Sequence, residues 1–173
     1  MEKLIRPLNI DNFIVSSGFW DRRGIKYHLA SDYPVGIGTP LYASNSGYLY
    51  DSTTSKCGNG VMIVGTENSP YITSYCHLEK FAPDIENDLN RNGQAEVKQG
   101  QLIGYTGNSG NTTGPHLHFK VRSKTTGLPI NPESLDYRKY NYAGINWVSI
   151  IFGSISVLAL IMAFRDEKKK ATK

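Results

Sequence analysis

The sequence predicts a mainly β domain of many short strands, followed by one C-terminal transmembrane helix. Three observations carry this. Short runs rich in Val, Ile, Leu, Tyr and Phe recur between residues 12 and 130, cut at close intervals by most of the chain's 17 glycines and 8 prolines, which end strands and make turns. Nothing in that region repeats apolar residues with a helical period over a useful length. Residues 143–164 then run for 22 positions without a charge, roughly 33 Å as a helix against a hydrocarbon core of about 30 Å.

In chain order, residues 1–13 form a lead-in. They lack the long apolar stretch of a secretion signal, having charges at Glu2, Lys3 and Arg6 around a very short apolar run. Residues 12–18 read as a strand entering a turn, and 19–27 as a loop of mixed aromatic and basic residues. Pro34, Gly36, Gly38 and Pro40 exclude a helix after Asp32. Residues 41–50 alternate as a strand. Runs at 61–64 and 71–77 are separated by a polar turn containing Asn68, Ser69 and Pro70, a hairpin signal. A short helix is expected around 84–89. Residues 97–107 return to strand and tight turn, and a loop of Asn, Ser, Gly and Thr at 108–114 delivers the chain into an extended segment at 116–121. Residues 136–142 form a linker.

Residues 1–142 carry 14 Lys/Arg and 13 Asp/Glu, and residues 143–173 carry 5 and 2. The formal charge of +4 is therefore mainly a property of the tail, and the body gives no case for specific nucleic-acid binding. Tyr137, Tyr140, Tyr142 and Trp147 suit an interfacial aromatic belt, and Arg165 with Lys168, Lys169 and Lys170 flanks the other end of the apolar stretch. By the positive-inside rule the C-terminus is cytoplasmic and the β domain lies across the membrane. Two settings follow for a domain exported without a visible signal: the internal membrane of a virus particle, with capsid or membrane partners, or the bacterial cytoplasmic membrane. Cys57 and Cys76 belong to no C-x-x-C pair. One disulfide and two buried thiols are both open to them.

The chemistry gathers around the four histidines, at positions 28, 77, 116 and 118. His116 and His118 are alternate residues of an extended segment, so their side chains face one way. His28 and Asp32, four apart, share a face on strand or helix. With one member of the final pair they supply two imidazole nitrogens and one carboxylate oxygen. Three protein ligands with an open fourth position is the arrangement of a catalytic zinc, whereas structural zinc is closed by four. The remaining imidazoles suit proton transfer near neutral pH and stabilisation of a developing oxyanion.

These residues sit in a longer set of motifs. His28-x-x-x-Asp32 is followed by Gly38-Thr39-Pro40-Leu41-Tyr42-Ala43, then Tyr75-Cys76-His77-Leu78, Gly100-Gln101-Leu102-Ile103-Gly104, and Thr113-Gly114-Pro115-His116-Leu117-His118-Phe119. In order and approximate spacing, over about residues 14–135, the chain resembles the lysostaphin-type zinc endopeptidases that cut peptidoglycan peptides. The resemblance implies a twisted antiparallel sheet with the active site in a groove walled by loops. It assigns His28, Asp32 and His118 to a single zinc ion and His77 and His116 to catalysis, and it alone chooses His118 over His116 as the ligand. Three departures stand out. Ala30 occupies the position between the first ligands where the family commonly has Gly, and Lys120 follows the final His-Phe where Glu is common. The segment between His77 and Gly100 is longer around 84–93, which is expected to form a groove wall or partner contact.

The expected function is a membrane-anchored zinc endopeptidase acting on a peptide bond of the bacterial cell wall, with a phage entry or exit enzyme as one setting. The alternative is a structural or regulatory membrane protein whose β domain binds wall or partner without cutting.

Overall fold

The computed structural model describes residues 1–142. The transmembrane helix expected over 143–164 and the basic tail 165–173 lie outside the described residues. Among the described residues no helix is long and apolar enough to cross a membrane.

Alternation of apolar and polar residues builds one main sheet. After an extended N-terminal segment, β1 (Arg22–Arg23) and β2 (Lys26–Tyr27) pair as a small exposed hairpin apart from it. The main sheet comprises β3 (Ser31–Tyr33), β4 (Pro40–Tyr42), β5 (Gly47–Asp51), β6 (Asn59–Gly65), β7 (Tyr71–Phe81), β8 (Ala95–Val97), β9 (Leu102–Thr106), β10 (Leu117–Ser123) and β11 (Pro129–Ile130). Its main path runs β11-β10-β7-β6-β5-β8, with β3 beside β10 and β9 joining β4 to β7. All its pairings are antiparallel. The mainly β expectation holds, and so does the hairpin, as β6 and β7.

One helix, α1 (Pro83–Asn92), interrupts the strands. Pro83 opens it, where a missing N–H is harmless. Gly93 closes it in the left-handed conformation, its N–H donating to the Leu89 carbonyl at 2.9 Å. Ile85 is buried and Leu89 packs against the core, so the helix lies on the body by an i, i+4 apolar edge.

The core is a single cluster. Leu117, Phe119 and Val121 of β10, Tyr75 and Leu78 of β7, Val61 and Ile63 of β6, and Leu49 of β5 are all fully buried. Leu4 and Leu8, from the expected lead-in, are buried in the same cluster.

Three local expectations are corrected. Residues 12–18 make no strand: β3 is only three residues long, and pairing reduces to a bridge between Ser17 and Asp32. Residues 41–50 are not continuous, because the chain leaves β4 through buried Ser44 and Asn45 before starting β5. The Tyr75 hydroxyl accepts the Ser44 N–H at 2.8 Å, and the Thr73 hydroxyl donates to Asn45 Oδ1 at 2.7 Å, so polar partners stabilise that break. Finally, of the two roles expected for 84–93 the groove wall is not taken up: none of the α1 residues lines the groove, because its apolar edge turns the helix toward the core.

Candidate metal and catalytic site

Strand register brings the chemistry together. On β10 the odd residues from Leu117 face the core, so His118 faces the other way. His118 stands opposite Asp32 of β3 on one side and Cys76 of β7 on the other. Directly opposed residues of an antiparallel pair have Cβ atoms about 4.5–5.5 Å apart, close enough for imidazole and carboxylate to meet. His116, two residues earlier, bridges Gly107 and presents its ring to the same side.

His77 arrives by a different device. Asn59 pairs with Leu78 and Val61 with Tyr75, so two residues of β6 span three of β7, and β7 carries an extra residue. This β-bulge lets Tyr75 and Leu78, three apart, both face the core, while His77 turns into the groove. His77 takes φ 65° to do so, a region uncommon outside glycine. Leu29, just after His28, is the other such residue, at φ 58°.

Around Asp32 the ligand atoms converge. Asp32 Oδ1 lies 2.8 Å from His118 Nδ1 and 3.2 Å from His28 Nε2, and those two nitrogens are 3.1 Å apart. Ligands about 2.0–2.1 Å from a tetrahedral zinc stand roughly 3.3 Å apart, so the three atoms fit one such ion. The donor set agrees. His28 Nδ1 lies 3.1 Å from the Gly18 carbonyl, an acceptor only, so it carries the proton and leaves Nε2 a free lone pair. Arg23 Nη2 holds the other carboxylate oxygen, Asp32 Oδ2, at 3.1 Å and also donates to Ser17 Oγ at 2.9 Å. Burial would push the Asp32 carboxyl up, but the close approach of His118 and His28 outweighs it and holds the group below its ordinary value.

His77 and His116 form a second pair, with ring centroids 4.6 Å apart. His77 Nδ1 is 2.7 Å from the Ser109 carbonyl and His116 Nδ1 is 2.8 Å from the Gly114 carbonyl. Both rings therefore bear their proton on Nδ1 and keep Nε2 for chemistry. His116 Nε2 stands 3.7 Å from Asp32 Oδ1. Burial lowers the His77 pKa, more than the Ser109 carbonyl and Asp32 raise it, so His77 is neutral at pH 7.

All five sequence-predicted residues thus line one groove of about 850 Å³. Its walls come from residues 16–17 with Arg23, from 54–57, and from 111–115. Sequence reasoning missed Arg23 and Ser109. Nothing in the pattern pairs Arg23 with a carboxylate nine positions on, and a backbone carbonyl leaves no residue-type signal. Cys57 and Cys76 are joined in a disulfide, which resolves the alternative left open, and both line the groove beside His77.

The sequence pattern of peptidase family M23 matches residues 26–132, which span all five sequence-predicted residues of this site. The chain belongs to peptidase family M23. Over 142 residues it is 34% identical to the peptidoglycan DD-endopeptidase ShyC of Vibrio cholerae, covering 79% of this chain and 30% of that protein. Among solved structures it is similar to a zinc-containing peptidase from Vibrio cholerae, with TM-score 0.64 and 26% identity over 79% of this chain and 41% of that one. It is also similar to the catalytic domain of lysostaphin from Staphylococcus simulans, with TM-score 0.57 and 28% identity over 72% of this chain and 92% of that one. The chain spans less than a third of the length of these curated relatives, the DD-endopeptidases ShyC and ShyA and the DD-carboxypeptidase/endopeptidase Mpg. M23 peptidases use zinc, and the His-Asp-His cluster here is compatible with that ion.

Proposed function

We propose that this M23 chain is a zinc endopeptidase that hydrolyses peptide bonds of bacterial peptidoglycan. The observation that carries it is the convergence of His28 Nε2, Asp32 Oδ1 and His118 Nδ1, each within 3.2 Å of the others, next to two imidazoles with free Nε2 atoms. When bound, zinc supplies a Lewis acid that polarises a carbonyl and makes water acidic near neutral pH. His28, Asp32 and His118 would hold the ion, and Arg23 orients the carboxylate. His77, neutral and fixed by Ser109, accepts the proton of the attacking water at Nε2. His116, once Nε2 also carries a proton, donates a hydrogen bond from it to the carbonyl oxygen as it becomes negative. A protonated imidazole of the pair then passes its proton to the departing amine.

Purified sacculi test this directly. The zinc-loaded protein is expected to clear their turbidity, a chelator to stop it, and added zinc to restore it. His116→Ala is expected to be inactive with an unchanged thermal midpoint. Clearing that survives both chelation and His116→Ala would rule out the zinc mechanism, and no clearing by the zinc-loaded wild type would favour a non-catalytic wall-binding or regulatory role.

The anchor is part of the same proposal. The uncharged stretch 143–164 and the basic residues after it support a single membrane span with the β domain on the non-cytoplasmic side, in a phage particle with an internal membrane or in a bacterial envelope. Alkaline carbonate is expected to leave the full chain in the membrane pellet. Release into the supernatant would remove the anchor.

A further inference from the structure

The groove wall at residues 53–58 is held more firmly than a strand connection requires. Cys57 is bonded to Cys76. The Cys57 carbonyl accepts the His77 N–H at 2.8 Å, and the Lys56 carbonyl accepts the Asn111 N–H at 3.0 Å. The Cys57 N–H donates to Thr54 Oγ1 at 3.0 Å. Gly58 and Gly110 pack backbone to backbone: a Cβ on Gly110 would lie 2.2 Å from the Gly58 nitrogen. Residue 56 is therefore tied both to the strand that presents His77 and to the loop that leads to His116.

Its side chain lines the groove. Of all the lining residues only Arg23, Asp32 and Lys56 bear a formal charge. Arg23 is committed to Asp32 and Ser17, and Asp32 faces the three-residue cluster. The Lys56 ammonium has no ion pair or hydrogen bond among the described residues. A cation held on a fixed backbone and left unpaired in a groove next to proton-transfer histidines is placed to meet an anion on what the groove binds.

We propose that Lys56 is a specificity-determining residue that binds a carboxylate of the substrate peptide, so that the site selects acidic peptides over neutral ones. This rests on the peptidase reading for the identity of the ligand but not for the binding itself. Pre-organisation explains the bracing: fixing the backbone removes part of the entropy cost of holding a lysine against its partner.

The test uses the full chain in detergent and synthetic cross-linked muropeptide dimers carrying a fluorophore. One dimer has all carboxylates free and one has all amidated. Two more are amidated only at the chain terminus or only on the side branches, which separates the two sources of the anion. Fluorescence anisotropy with metal-free protein reads affinity without cleavage. Wild type is expected to prefer the acid dimer by roughly 1.5- to fivefold, the range for a solvent-accessible ion pair, and less at high salt. Lys56→Gln is expected to abolish that preference, Lys56→Arg to keep it and Lys56→Glu to reverse it, all with the wild-type thermal midpoint. A preference that persists in Lys56→Gln, one lost equally in Lys56→Arg, or no preference in wild type, including no binding, would overturn the proposal. If the preference behaves as expected but zinc-loaded wild type cuts none of the dimers, the peptidase reading fails and the role of Lys56 stands.

Discussion

His77 sits at φ 65°, a conformation that costs a residue with a Cβ about 1–2 kcal/mol. The strain is explained by what the turn achieves: it points the imidazole into the groove while Leu78 stays in the core. Two substitutions separate position from strain. Both His77→Ala and His77→Gly are expected to lose at least 100-fold in kcat/KM on a muropeptide substrate, in line with the loss of a general base. By thermal denaturation His77→Gly is expected to be the more stable by about 1 kcal/mol, because only glycine adopts this φ freely. Equal stabilities would mean the backbone there is not strained. The same side chain sets a pH limit. Burial lowers its pKa below the ordinary 6.5, so the neutral, proton-accepting form persists below that pH and disappears as pH falls through the lowered value. The acidic limb of kcat/KM is therefore expected below pH 6.5; a limb at or above 6.5 would count against His77 as the base. Arg23 acts through Asp32 Oδ2, and Arg23→Met is expected to weaken zinc binding about 10- to 100-fold in a competitive chelator titration. Unchanged affinity would reduce Arg23 to a surface ion pair.

Elements explain which parts of the site were legible beforehand. The His116-x-His118 spacing needed only strand parity and was readable from local pattern. His28, by contrast, lies between β2 and β3 and meets Asp32 through the turn at Leu29 (φ 58°), not through the shared face of a strand or helix. His77 needed more. Its approach depends on the extra residue in β7, visible only once Asn59 is known to pair with Leu78 and Val61 with Tyr75. The disulfide was undecidable for the same reason, since Cys57 lies in a connection whose distance from Cys76 is set by the β6–β7 pairing. The groove-wall half of the expectation for 84–93 failed because extra length in a loop-walled fold invites a wall, whereas Ile85 and Leu89 fasten it to the core. The disulfide closes a separation of 19 residues and is expected to stabilise the domain by about 3 kcal/mol. A lower denaturant midpoint for metal-free Cys57→Ser/Cys76→Ser checks this. An unchanged midpoint would show that the hydrogen bonds and glycine contacts around residues 53–58 suffice alone.

At the scale of the molecule, a mainly antiparallel sheet does two things at once. One face carries a continuous apolar core from β5 to β10, and the opposite face of β3, β10 and β7 lines up Asp32, His118 and Cys76 in one row. Loops then raise the walls, one of them braced by the disulfide. The general architecture was legible because strand alternation and turn residues are local signals. The order of strands was not, since β3 and β11 flank the same edge of β10 and β9 joins β7 only beyond the bulge. The central claim is that the His28, Asp32 and His118 cluster, with His77 and His116, cuts peptides and nothing else in the wall. Mass spectrometry of the products released from purified sacculi by the zinc-loaded protein tests it most directly. The expected products have gained one water at a severed peptide bond, retain intact glycan linkages, and are missing from His116→Ala digests. Products cut in the glycan, or the same peptide products from His116→Ala, would contradict it.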